Sequence, residues 1–253
     1  TQPDNPLPID TKTIPSIEFQ NVSFSYPGAK KQTLKDFSLT IKSGERIAFV
    51  GENGAGKTTL IKSILGMVLP EKGEIFFKEK NIKQDIAYKH QIGYMPQIGR
   101  YPENMKIGQV IDLIKSIRNA KVATDTTLYD QFLLSGMLEK KMRTLSGGTT
   151  QKVSATLAFM FKPEVLILDE PTAGLDPVAA EILKAKITEA KNSGCLILIT
   201  SHLLSELEDM VTQVIFMQDG FLKFHKNVVD LKADTGKVTI AKSIVHLLKS
   251  EEA

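Results

Sequence analysis

The segment Gly51-Glu52-Asn53-Gly54-Ala55-Gly56-Lys57-Thr58-Thr59 constrains this chain more than any other. It follows the short apolar run Arg46–Val50 and opens a helical stretch near Lys57, the context that the spacing G-x-x-x-x-G-K-[ST] requires. Glycines let successive backbone N–H groups turn inward as a nest for phosphate oxygens, and the helix that follows aims its positive end at the same anion. Lys57 adds a cation for the β and γ phosphates, and the Thr58 hydroxyl is placed to ligate Mg²⁺. Thr59 is read as a helix residue that contacts an outer phosphate. A chance glycine turn explains the residues but not their flanks.

A second apolar run, Val165-Leu166-Ile167-Leu168, ends in Asp169-Glu170. It is too short for a typical helix and suits a parallel strand buried on both faces. Ligands collect at the carboxyl ends of such strands. Asp169 is suited to hold Mg²⁺ through its water shell, and Glu170 to polarise an attacking water. Alone, such a pair is more often a solvated loop; beside a phosphate loop that preference reverses. Leu145-Ser146-Gly147-Gly148 precedes a further helix and offers a hydroxyl and bare N–H groups, again an arrangement for an anion. On its own, a plain helix cap is the simpler reading.

Between these segments the pattern is α/β. Ile17, Phe19, Val22 and Phe24, then Phe37, Leu39 and Ile41, then residues 46–50, read as strands, as do 74–77 and 92–95. Ile107, Val110, Ile111, Ile114 and Ile117 recur at helical spacing, so residues 98–162 read as a helical subdomain inserted in the core. Helices are expected at 148–161, 177–192 and 203–209, with a buried strand at 196–200. A hairpin is expected about Asp219-Gly220. Residues 1–15, with Pro3, Pro6, Pro8 and Pro15, read as a flexible lead-in, 16–225 as the folded domain, and 226–253 as a Lys-rich, weakly patterned extension.

Composition excludes more than it assigns. Lys and Arg total 32 against 29 acidic residues, a net charge of +3, which gives no argument for nucleic acid. A lone cysteine, Cys195, excludes an internal disulfide and reads as a buried small hydrophobe in a reducing, cytoplasmic setting. No stretch approaches the roughly 20 apolar residues of a membrane-spanning helix, so work at a membrane needs another chain.

Taken in order, these segments resemble the nucleotide-binding domain of ABC transporters, over residues 17–225. Residues 51–59 resemble the Walker A motif, Gln97 the Q-loop, 145–148 the signature motif, 165–170 Walker B, Ala173-Gly174-Leu175-Asp176 the D-loop, and His202 the switch histidine. The resemblance implies a P-loop NTPase core of mostly parallel sheet, an N-terminal antiparallel β-subdomain and the inserted helical subdomain. It implies ATP and Mg²⁺ as ligands and ATP hydrolysis as the reaction. Tyr26 would stack on adenine. Gln97 would sense the metal and the water while joining the core to the helical subdomain, and His202 would contact the γ-phosphate. Ser146, Gly147 and Gly148 would face the ATP of a second subunit, a homodimer closing over two nucleotides with Asp176 at the seam. A transmembrane permease is the implied partner, holding the chain on the inner face of the cell membrane. Thr149 and Thr150 stand where the signature is usually followed by Gln.

Soluble relatives in translation carry two cassettes in one chain, and those in DNA repair insert a long coiled coil. Neither is present here. A P-loop GTPase or kinase leaves residues 145–148 and His202 unexplained. Residues 173–177 are similar to bacterial exporter-type ATPases, while residues 92–101 and 143–152 are similar to the ATPase of the copper-processing system that matures nitrous oxide reductase. After Gln97, the residues Ile98, Tyr101 and Met105 admit two readings: packing on their own core, or a docking groove for a permease helix.

Overall fold

Alternation of buried and exposed residues builds the first sheet. In the computed structural model, which describes residues 16–118, 123–201 and 204–251, strand β1 (Ile17–Phe24) buries Ile17, Phe19 and Val22. Strand β2 (Leu34–Ile41) buries Leu34, Phe37, Leu39 and Ile41. With β4 (Lys72–Phe77) and β5 (Lys80–Asn81) they form an antiparallel sheet of order β2-β1-β4-β5, in which Ile17 faces both Ile41 and Phe77. The lead-in expected at 1–15 lies outside the described residues.

The second sheet has the order β10-β9-β3-β8-β7-β6. Strands β3 (Arg46–Val50), β6 (Ile92–Met95), β7 (Val165–Asp169), β8 (Leu196–Thr200) and β9 (Gln213–Gln218) run parallel. Strand β10 (Phe221–Asn227) returns antiparallel through Asp219 (φ 51°) and Gly220 (φ 84°), the left-handed pair that a tight hairpin needs. Continuous apolar runs mark β7 and β8 because both faces are covered. Ile167 and Leu198 point to the first sheet and α1 (Lys57–Ile64), whereas Leu166, Leu168, Ile197 and Ile199 point to the helical side.

On that side lie α2 (Ile107–Ile117), α3 (Thr127–Gln131), α4 (Gly147–Phe159) and α5 (Pro177–Asn192). α4 comes so close to β6 that a Cβ on Gly93 would lie 2.1 Å from the Ala158 carbonyl oxygen. Helical spacing is kept to Ile117, but the segment beyond is a short α3 followed by 3-10 turns at Leu134–Met137 and Met142–Thr144. The helix expected at 203–209 is a 3-10 turn, Leu204–Leu207.

The largest departure is at the end of the chain. Strand β10 continues to Asn227, past the expected boundary at 225, and two helices follow, α6 (Val228–Thr235) and α7 (Ile240–Glu251). Asn227 caps α6 by accepting the Val229 N–H (2.8 Å), and Gly236 ends it at φ 63°. Leu231, Ile240 and Ile244 bury against the helical-side core. Glu208 ties both helices down, accepting from Lys232 Nζ and from the Ile240 N–H, each at 2.6 Å.

Candidate nucleotide site

Parallel packing of β3, β7 and β8 brings their carboxyl ends to one edge, with Phe49 and Asp169 both in register with Thr200. The loop between β3 and α1 lies at this edge. Gly56 (φ 103°) is left-handed, and a Cβ there would lie 2.8 Å from the Thr33 carbonyl oxygen; at Gly51 it would lie 2.1 Å from that of Met217. Only glycine fits either position. No side chain caps α1, so its N-terminus serves the loop. Lys57 folds back, its ammonium donating to the carbonyls of Gly51 (2.6 Å) and Glu52 (2.9 Å). Burial lowers the Lys57 pKa, and the nearby Glu170 and Asp169 carboxylates partly offset that.

A cavity of about 620 Å³ opens over this loop. Its wall brings together Tyr26, residues 53–59, Gln97, Asp169 and Glu170. The Tyr26 ring stands edge-on to Phe24 (4.9 Å), its hydroxyl meets Thr59 Oγ1 at 3.2 Å, and the Lys62 ammonium lies 6.0 Å over one face. Asp169 accepts the Thr200 hydroxyl. Glu170 has a positive φ of 49°, which costs a non-glycine residue about 1 kcal/mol, and its N–H is held by the Thr200 carbonyl at 3.0 Å.

Ser146, Gly147 and Gly148 do not line this cavity. Ser146 caps α4, its Oγ accepting the Thr149 N–H (3.2 Å) and meeting the Thr149 hydroxyl (2.9 Å), and a Cβ on Gly147 would meet nothing within 4 Å. Ser146 and Gly147 thus present an open surface outside the cavity of the chain's own site, while Gly148 packs against the Gly174 carbonyl. Asp176 caps α5 through the Ala179 N–H (2.9 Å) and pairs with Lys152 (2.7 Å). His202 lies outside the described residues.

Three wall residues escaped the sequence reading: Thr33, Thr200 and Ser201. Thr200 carried a signal, since the run 196–200 ends on a hydroxyl as β7 ends on a carboxylate. Thr33 carried none. The reading also placed Tyr101 and Met105 in a possible groove. Both are half-buried against the helical-side core, with the Tyr101 hydroxyl on Ser154 Oγ at 2.9 Å, and the apolar residue left exposed after Gln97 is Ile98.

Fold and site together define a P-loop nucleotide-binding ATPase cassette. The sequence profile described as ABC transporter matches residues 34–173. The ABC transporter ATP-binding protein YtrB of Bacillus subtilis is 32% identical over 227 residues, 89% of this chain and 76% of that protein. The ABC-type transporter ATP-binding protein EcsA of the same organism is 28% identical over 88% of this chain and 92% of its own length. Among solved structures, the ATP-binding subunit of an ABC transporter superposes with a TM-score of 0.84 at 27% identity, covering 92% of this chain and 99% of that one. The chain belongs to the ABC transporter family, as its ATP-binding and ATP-hydrolysing subunit. No helix among the described residues is long and apolar enough to cross a membrane.

Proposed function

We propose that the chain works as one of two identical subunits that close over two ATP molecules and thereby drive a separate transmembrane permease from its cytoplasmic side. The observation that carries this reading is the separation of two half-sites. Residues 53–59 share a cavity with Gln97, Asp169 and Glu170, while Ser146 and Gly147 stand exposed at the start of α4, outside that cavity. An outward anion-binding segment is put to use when a second copy presents a phosphate to it. A relative in fold, at 20% identity and a TM-score of 0.74, is a dimeric cassette bound to ADP and Pi.

In this reading residues 51–58 wrap the phosphates and Tyr26 stacks on adenine. The Thr58 hydroxyl, the Asp169 carboxylate and the Gln97 amide oxygen are the hard donors that Mg²⁺ prefers. The ion would neutralise charge on the transferring phosphate. Glu170 accepts a proton from the attacking water, and His202 meets the γ-phosphate.

The permease surface is proposed on apolar residues that remain exposed at the end of α1 and beside β6: Met67, Leu69, Ile86 and Ile117. These segments meet, for Gly66 abuts Lys89, and Arg118 donates to the carbonyls of His90 and Ile92, both at 2.7 Å. Export is supported by the sequence of residues 173–177. The copper-processing resemblance rests on residues 92–101 and 143–152 alone.

Glu170→Gln tests the reading directly. With ATP and Mg²⁺ it should bind nucleotide, accumulate as a dimer in light scattering, and lose most phosphate release. Wild-type turnover by this variant, or a dimer indifferent to ATP, would refute it.

A further inference from the structure

A further cavity, of about 430 Å³, lies at the edge of the second sheet opposite to the nucleotide site. The two cavities share no residue and draw on opposite ends of the same strands. At the nucleotide site β7 ends on Asp169 and β8 on Thr200, whereas here Glu164 and Leu166 flank the start of β7 and Cys195 stands just before β8. Phe159, Leu166 and Cys195, all buried, give the cavity an apolar floor. Burial pushes the Cys195 thiol up to about 12, so it lines that floor as a neutral, polarisable group and not as a nucleophile. The volume falls within the range of small-molecule sites.

The polar wall selects a sign of charge. Helices α4 and α5 both end here, with Phe159 the last residue of one and Ser193 the cap of the other, so the negative ends of two helix dipoles meet at the cavity. Lys186 is the buried cation of the wall, shared between Asp125 at 2.7 Å and Glu189 at 2.9 Å. One carboxylate is therefore in excess. Asp125 spends both oxygens, accepting from Lys186 Nζ on one and from the Thr127 N–H on the other. Glu189 gives Lys186 only Oε1, and no bond reaches its Oε2 among the described residues. The other charges stand at the rim. Glu164 is paired with Lys78 at 2.7 Å, and Lys162 is exposed, where water and salt screen it.

We propose that this cavity is a binding site for a small organic cation, an ammonium or guanidinium carried on a compact apolar body. The cation bonds Glu189 Oε2 and lies at the carbonyl ends of α4 and α5, while the apolar body covers Phe159, Leu166 and Cys195. An anion is repelled by the same charges, and a neutral apolar guest leaves the excess carboxylate unanswered. Because the site uses the opposite strand ends, its guest and ATP bind without competing.

The probe is 2-phenylethylamine, cationic at neutral pH, titrated into the full chain and followed by amide NMR. Three comparison compounds dissect its recognition. The alcohol 2-phenylethanol keeps the ring without the charge, putrescine keeps the charge without the ring, and a lysine tripeptide with blocked ends presents the ammonium on a polypeptide. The amine should shift signals from residues 159–166 and 186–195 and bind at least about 10-fold more tightly than any of the three. Saturating ATP should leave its affinity unchanged. Glu189→Gln should weaken it about 10-fold, and Ala190→Leu, which fills the cavity from α5, should remove it, with thermal midpoint and basal ATPase unchanged in both. Should Ala190→Leu lower the midpoint, the wild type decides instead: the amine should protect Cys195, the chain's one thiol, from iodoacetamide. No binding of the amine, equal binding of 2-phenylethanol, indifference to Glu189→Gln, or displacement by ATP overturns the proposal. Preference for the tripeptide overturns it too, since the cavity would then receive a side chain of another protein.

Discussion

The Thr200 hydroxyl donates to the carboxylate of Asp169 on the neighbouring strand, and the Thr200 carbonyl holds the N–H of Glu170. One residue at the end of β8 thus holds both acids: its side chain bonds Asp169, and its carbonyl and hydroxyl oxygens both accept from the Glu170 N–H. Thr200→Val keeps the shape and the backbone bond but leaves the buried Asp169 one donor short. Turnover should fall about 10-fold, with ATP affinity changed less, because aim matters most as charge develops. Steady-state ATPase kinetics beside equilibrium nucleotide binding would check this, and an unchanged turnover number would remove Thr200 from any positioning role.

Tyr26 offers a separable test of base recognition. Tyr26 is 36% exposed and lines the cavity, its ring edge-on to Phe24 with the Lys62 ammonium 6.0 Å over one face. Tyr26→Ala should weaken ATP binding roughly 3- to 10-fold, the range of an aromatic stack. Binding of inorganic tripolyphosphate, which has no base, should be unaffected in calorimetry. Equal losses for both ligands would place the defect in the phosphate loop.

A buried ion pair joins the segment before α3 to α5, outside the nucleotide cavity. Lys186 Nζ lies 2.7 Å from Asp125 and 2.9 Å from Glu189, with the Lys186 side chain 5% exposed. Burial pushes the Asp125 pKa up, but its bonds from Lys186 and Thr127 outweigh that and leave it lowered. Burial pulls the Lys186 pKa down, and its carboxylate partners outweigh that and leave it raised. The pair's contribution is therefore full between the unfolded carboxylate and lysine values, about 4 and 10. It fades as pH falls through the lowered Asp125 value and as pH rises through the raised Lys186 value. Asp125→Ala should cost about 2 kcal/mol at neutral pH, less than a sealed pair because a water-accessible cavity borders it. That difference should shrink in acid denaturation curves as pH falls below about 4, and go as it passes through the lowered Asp125 value.

The C-terminal helices test as part of the domain. Ile244 is 3% exposed against the helical-side core, so Ile244→Ala should lower stability by about 2–4 kcal/mol. A chemical denaturation curve with one transition, shifted to lower denaturant, is the expected result. A wild-type midpoint would mean that α7 contributes nothing to the fold.

Segments with both a period and a context were legible in the sequence. The phosphate loop, the run 165–168 with its two acids and the helix Pro177–Asn192 stand where residue spacing puts them. In the last case Asp176 caps the helix and Pro177 starts it, a local rule that tertiary structure did not override. Legibility failed where long-range contacts decide. Ile240 and Ile244 are four apart, and Leu247 and Leu248 follow, yet frequent lysines on the outer face masked the stripe. Tyr101 reads as an exposed aromatic until Ser154, distant in sequence, takes its hydroxyl. The positive φ of Glu170 has no signature of its own, being imposed by β8 next door.

Lys57 already grips the carbonyls of the loop it will later share with a ligand. The ammonium thus braces the loop from within, tying its own carbonyls together. Nucleotide entry becomes an exchange of one set of partners for another, with little ordering of chain left to do. Such an entry should be fast and carry a modest entropy of ordering.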